Sequence, residues 1–481
     1  MSARILVGRG AMFGTLAAGM FLLAVIIAAL LYLKEPLAPL LLIGMAVAGT
    51  LGLLLLQRPL AATLIAWFLL LIPPGNLRID ESAYALAANG AVAAALGVGM
   101  AQAIGRPGSI RWNTTCLLVL LYILWAAVTM LWAPDLIEAR RKLVLWTTSF
   151  ILFFLIINQI RSIISLDRFM NILNLMGWIL VACAIYTIFF EDYDFEERLK
   201  VFGTNENVFG LMLITTLPGV LWPVLRSSGP QRSVMMVLSI VFLLCVLLGT
   251  ALSGSRGSSL AVLLLLLAFL FGKSTRTWGI VGLVLILCIT VAAPFLFETI
   301  SHRFAEEQGG ELGGREVLWQ ASLQLFRDYP ATGVGIGNGP FALHPYLAAL
   351  TTATNHRLDL PSHQPFLEVA IETGLFGLLI YVAILASALM SFVGSRAAWA
   401  ASREMPNAYY AIVSGICVAY AMAWIKSGGL EIHASFLVVL VLLLAPSLIA
   451  TMEAQEPIAE RRSGEAPSWN RLPTSVDHAT G

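Results

Sequence analysis

Charge is what this sequence has least of. Only 12% of its 481 residues are Asp, Glu, Lys or Arg, while 59% are hydrophobic and the mean hydropathy is +0.85. Soluble domains carry roughly a quarter charged residues, and a water-soluble fold could not hide this much apolar surface. The formal net charge of +1 points to no bulk electrostatic partner and no nucleic acid. Cysteine is scarce as well. Cys116, Cys183, Cys245, Cys288 and Cys417 lie in or beside apolar stretches, at spacings that fit neither a disulfide framework nor a metal site. They read as small membrane-buried hydrophobes. No acidic cluster has metal-ligand spacing, so neither a metal nor any other cofactor is expected.

What the chain has instead is apolar runs long enough to cross a bilayer, which takes about 17 to 25 helical residues. They fall at 11–33, 36–56, 83–104, 114–133, 142–158, 169–190, 207–226, 233–251, 277–297, 366–394, 407–425 and 430–450, with shorter runs near 59–73 and 258–272. The first follows Arg4 and Arg9 but is too long for a signal peptide and lacks a small-residue cleavage site. The expected fold is all-α: a polytopic membrane protein with about 12 to 14 transmembrane helices and one large extracytoplasmic loop containing short helices. Either count is even, so both termini share a side. A cytoplasmic placement gives every inner segment a basic residue, from Arg58 and Arg106 to Arg396 and Arg461. The division is then an N-terminal transmembrane bundle at 1–297, a loop outside the membrane at 298–365, C-terminal helices at 366–452 and a disordered cytoplasmic tail at 453–481. Arg140, Arg141 and Lys142 violate the charge rule, which marks either a lipid-phosphate contact or a misplaced helix boundary.

Long loops carry function more often than short ones. This one holds His302, His344, His356 and His363, and Gly314 to Ser322 has apolar residues at helical spacing. The run Gly333-Val334-Gly335-Ile336-Gly337-Asn338-Gly339 lacks the βαβ setting of a dinucleotide site and reads as a turn permitting close backbone approach, with Asn338 accessible from outside. His363 follows Pro361-Ser362, where Ser362 would cap the next helix and Pro365 would sit in its first turn, holding the ring at the water–membrane boundary. It is a proton-transfer candidate, or plain polar surface. Arg256, among Ser253, Gly254, Ser255, Gly257 and Ser258 at a helix start, is either an anion site or an arginine reaching the interface. Arg198 is a second guanidinium on that side, beside Glu196 and Glu197 and open to a surface ion pair. Glu368 and Glu372, one turn apart, read as a polar helix face.

These motifs in this order resemble the O-antigen ligase and O-antigen polymerase superfamily of bacterial membrane glycosyltransferases. The resemblance rests on Gly203-Thr204-Asn205-Glu206-Asn207, Ser253-Gly254-Ser255-Arg256-Gly257, Gly314-Arg315 with Leu318-Trp319, and Tyr329-Pro330 before the glycine run. Ser362-His363-Gln364-Pro365-Phe366-Leu367-Glu368 and Glu372-Thr373-Gly374-Leu375-Phe376-Gly377 complete it, over roughly 195 to 450. Family members more often have Asn after the histidine and Pro-Asn in the first motif, where this chain has Gln364 and Glu206-Asn207. The resemblance implies transfer of a preassembled glycan from undecaprenyl diphosphate at the periplasmic face of the bacterial inner membrane. The acceptor is lipid A core for a ligase and another lipid-linked repeat unit for a polymerase. It makes His363 the base, puts Arg256 and Arg198 at the diphosphate, and leaves Arg315 and Glu372 as supporting candidates. The alternative is a lipid-linked oligosaccharide flippase, which must bind the same diphosphate.

Overall fold

The computed structural model describes residues 110–190, 193, 198–201, 206–227, 229–296, 315–350, 362–400, 407–426 and 434–455, with 60, 63, 92, 95–97 and 99. The runs expected at 11–33, 36–56 and 59–73, most of 83–104, the tail past Gln455, and His302, His356, His433 and His478 lie outside that description or almost wholly so. Among the described residues every regular element is helical. They are α1 (Thr114–Thr129), continued by a 3₁₀ turn (Met130–Trp132), α2 (Leu136–Gln159), α3 (Ile163–Phe190), α4 (Glu206–Arg226), α5 (Gly229–Leu252) and α6 (Arg256–Phe271). Then come α7 (Arg276–Leu296), α8 (Arg315–Asp328), α9 (Gly339–Leu350), α10 (Pro365–Ala400), α11 (Asn407–Lys426) and α12 (Ala434–Gln455). Helices α1 to α5 and α10 are long and apolar enough to cross a membrane, and α6, α7 and α12 contain shorter apolar stretches. The chain is an all-α polytopic membrane protein.

Polar caps start the apolar helices where the sequence supplies them. The Asn113 side chain accepts from Cys116 N–H at 2.8 Å to open α1, and Asp135 accepts from Ile137 and Glu138 N–H to open α2. Because α2 begins at Leu136 rather than 142, Arg140, Arg141 and Lys142 occupy its first two turns. The helix thus starts six residues before the apolar run expected at 142–158. Arg141 pairs with Glu138 at the surface, and Lys142 turns inward.

Helix α4 is the most enclosed of the six long apolar helices: 83% of its spanning window is buried, against 39% for α1, α3, α5 and α10. It packs against α3, α5 and α11, while α10 packs against α1 and α12. The outer helices keep one apolar face uncovered, as Leu117, Leu121, Leu124 and Val128 do along α1. That spacing makes a continuous stripe suited to lipid. The cysteines fit this division: Cys116 is buried in the bundle and Cys288 lies exposed on α7.

Beyond the bundle, α8 and α9 pack on each other around Leu318, Ala321, Leu325, Leu343 and Leu347, and Ile371 of α10 joins this second core. The described part of the large connection, 315–350, is therefore docked on the start of α10. Asn338, expected at an accessible tip, is wholly buried: it accepts from Asp135 N–H at 2.7 Å and donates to the Asp135 and Ile336 carbonyls. A cysteine there reports burial rather than topology. We expect Gln324→Cys, on the exposed face of α8, to react with a membrane-impermeant thiol reagent in intact cells while Asn338→Cys stays protected. Protection of Gln324→Cys until the cells are lysed would reverse the orientation.

Candidate active site

The break in α10 organises the site. Gly374 has φ 69° and ψ −172°, so the helical ladder stops there and releases the carbonyls before it. Each finds a donor. The Ile371 and Glu372 carbonyls accept from Val334 and Gly335 N–H, both at 2.9 Å, and the Thr373 carbonyl accepts from the Trp125 indole at 2.8 Å. Leu375 N–H, freed on the other side, donates to the Pro330 carbonyl at 2.8 Å. Broken backbone at membrane depth is stable only when re-satisfied in this way.

The glycine run supplies two of those donors, and it is the close-approach turn its sequence suggests. Gly333, Gly335 and Gly337 all have positive φ, and a Cβ on them would collide with the backbone of Glu372, Ala133 and Glu138 respectively, at 2.5 to 2.7 Å. The loop thus lies against both α10 and the α1–α2 turn. Ile336 N–H donating to Thr129 Oγ1 at 3.1 Å ties it down further.

At the head of α10, Pro365 takes the first helical position as expected, but the cap is not Ser362. The Gln364 side chain caps, accepting from Leu367 N–H, while the buried Ser362 hydroxyl donates to the Gln364 carbonyl. This turn puts His363 at φ 53°, the only non-glycine with positive φ among the described residues. Backbone strain of this kind costs about 1–3 kcal/mol and concentrates at functional sites. Burial lowers the His363 pKa below the ordinary histidine value, Arg315 lowers it further, and Glu368 opposes them. Burial and Arg315 thus favour the neutral imidazole, the form whose ring nitrogen carries a free lone pair.

Two guanidinium groups stand together beside it. Burial and the nearby charge of Arg198 both lower the Arg315 pKa. Arg198 Nε donates to the Ser253 carbonyl at 2.9 Å, and Leu199 N–H donates to the Leu252 carbonyl. Arg198 is thereby fixed to the α5–α6 turn. Ser255 caps α6, bonds to the Asn207 side chain at the start of α4, and leaves Arg256 exposed at the first position of α6. Two helix N-termini and the arginines converge on this turn, an arrangement suited to a multivalent anion. His344 is exposed on α9 and takes no part.

One group was missed. Lys142 Nζ donates to Glu368 at 3.0 Å and to Glu372 at 2.9 Å, with all three side chains largely buried. Glu368 and Glu372 form a polar helix face that is turned inward and paired with Lys142. Lys142's breach of the charge rule was the available signal.

The fold defines an all-α polytopic membrane protein in which α8 and α9 dock on the head of α10, with Arg315 near His363 and Arg198 near Arg315. Residues 240–382 match the family model described as O-antigen ligase, a segment running from α5 into α10 that contains Arg256, Arg315, His363, Glu368 and Glu372. The match supports the O-antigen ligase and polymerase superfamily. Arg198 and Lys142 lie outside the matched segment. No curated protein matches the chain.

Proposed function

We propose that the protein transfers a preassembled glycan en bloc from undecaprenyl diphosphate to a sugar hydroxyl at the periplasmic face of the inner membrane. The observation that carries this reading is His363, in its left-handed turn at the head of α10, with Arg315 near it and Arg198 near Arg315, where a lipid-borne diphosphate would lie. His363 takes the proton of the acceptor hydroxyl, whose oxygen attacks the anomeric carbon of the donor. The anomeric C–O bond breaks with its electron pair going to the diphosphate. Arg198, Arg256 and Arg315 offset the charge that develops there, and guanidinium forks suit phosphate oxygens at two points. The acceptor on this reading is lipid A core if the protein is a ligase, or a second lipid-linked repeat unit if it is a polymerase.

Deleting the gene and resolving surface glycans on gels tests the reading. Loss of glycan attachment to lipid A core indicates a ligase, and single-repeat products indicate a polymerase. Unaltered surface glycans would overturn the proposal. With arginines carrying the charge, transfer by the purified protein is expected to persist in excess EDTA. Activity lost to EDTA and restored by magnesium or manganese would refute that expectation.

A further inference from the structure

The end of the bundle away from the candidate active site carries a polar cavity. Helix α4 starts beside the α5–α6 turn, where Ser255 bonds to Asn207, and its last residue, Arg226, stands about 30 Å further along the axis. There the first turns of α3, the last turn of α4 and the start of α5 border a cavity of about 320 Å³. Asp167, Asn171, Trp222, Arg226, Ser227 and Gln231 line it, together with Met235 of α5. Its volume falls within the range of small-molecule sites.

The polar groups around this cavity are only partly used. Asp167 accepts from the Trp222 indole at 2.7 Å through Oδ1 and from Arg226 at 3.2 Å through Oδ2, which takes roughly two of the four positions at which a carboxylate can accept. Arg226 reaches it with one guanidinium nitrogen, leaving the rest of the fork for a further acceptor. The Ser227 hydroxyl is buried without a hydrogen-bond partner, which costs about 1–3 kcal/mol unless something binds there. Gln231 lies in the first turn of α5, and a helix start favours phosphate. Beside Met235, the exposed Val234, Val237, Leu238 and Val241 continue along α5 at helical spacing, an apolar stripe running into the membrane span.

We propose that this cavity binds the head group of a zwitterionic phospholipid bearing a primary ammonium. The phosphate meets Arg226 and the start of α5, the ammonium meets the open side of Asp167, and the acyl chains follow the apolar stripe. A guanidinium and a carboxylate side by side match a phosphate and an ammonium two carbons apart. An anionic lipid without an ammonium would set a second negative charge against Asp167, and the exposed Arg168 and Arg232 do not line the cavity to offset it. Because α3 and α5 both pack on α4, a lipid held here bridges three helices.

Full-length protein, delipidated in detergent, tests this without any turnover. Short-chain phosphatidylethanolamine should raise the melting temperature and, in native mass spectrometry, bind about 10-fold more tightly than phosphatidylcholine, whose trimethylated nitrogen has no N–H for Asp167. Phosphatidylglycerol should also bind more weakly. Asp167→Asn should bring phosphatidylethanolamine down to the level of phosphatidylcholine, and Arg226→Gln should weaken all three lipids. Each comparison is between lipids on one variant, so a general loss of stability does not imitate the result. Equal binding of the three lipids by wild type, a preference for phosphatidylglycerol, or a phosphatidylethanolamine preference that survives Asp167→Asn would overturn the proposal. So would soluble phosphoethanolamine protecting as well as the lipid, which would make the ligand a free phosphate ester.

Discussion

Replacing His363 with alanine should lower glycan transfer about 10²- to 10⁴-fold, the usual contribution of a positioned base, while leaving protein level and donor binding nearly intact. His363, in its left-handed backbone turn, is the sole histidine among the described residues with an arginine and a carboxylate acting on it. Alanine removes the proton acceptor and little packing, since His363 is only half-buried. His344→Ala, at an exposed position, should keep most activity, and so should His356→Ala. Arg256→Lys should weaken donor binding or turnover although the charge remains, because an ammonium cannot reproduce the two-pronged guanidinium contact. Membranes with matched protein content are needed, since an unfolded variant imitates a catalytic loss. Near-normal transfer by well-expressed His363→Ala would remove this histidine as the base and reopen the flippase reading.

Gly374→Ala should damage both stability and transfer. The substitution asks an L-residue to adopt φ 69° and sets a Cβ 2.2 Å from the Ala331 carbonyl oxygen. The backbone term alone costs about 1–3 kcal/mol, and relieving the clash means moving the loop that satisfies the Ile371 and Glu372 carbonyls. Glu372 would shift with it, and Lys142 would lose alignment. We expect the detergent-solubilised variant to melt several degrees below wild type, with transfer reduced further than the melting shift explains. Gly394→Ala, in the same helix with nothing within 4 Å of the new methyl, should be neutral or slightly stabilising, since alanine favours helix. Equal melting temperatures and equal transfer for the two variants would show that the break does not hold the site together.

Much of the site was legible because its signals are local. The proline and histidine before α10 announce a helix start, the serines and glycines around Arg256 announce another, and the spaced glycines before Asn338 announce a close-packed turn. The capping residue was misplaced by two positions, because Ser362 and Gln364 are both able to accept from the first turn and only the backbone path into α10 selects between them. Asn338 deceived for a similar reason: a polar residue among glycines looks exposed until the partner that binds both faces of its amide, Asp135, is known.

By itself the sequence determined that the chain is helical, lies in a membrane, and gathers histidine, arginine and glycine motifs around one long connection. Composition and run length suffice for that, because a bilayer accepts only backbone that satisfies itself. Which helix is most enclosed was a matter for the tertiary structure. Lipid and protein interior are equally apolar, so α4, buried nearly all round, and α5, buried on one side, carry similar runs of apolar residues. The inward turn of Lys142 was equally out of reach. Its partners lie 226 and 230 residues away, and a buried ion pair leaves no periodic trace in the sequence, since only the packing of α2 against the head of α10 decides which charges meet.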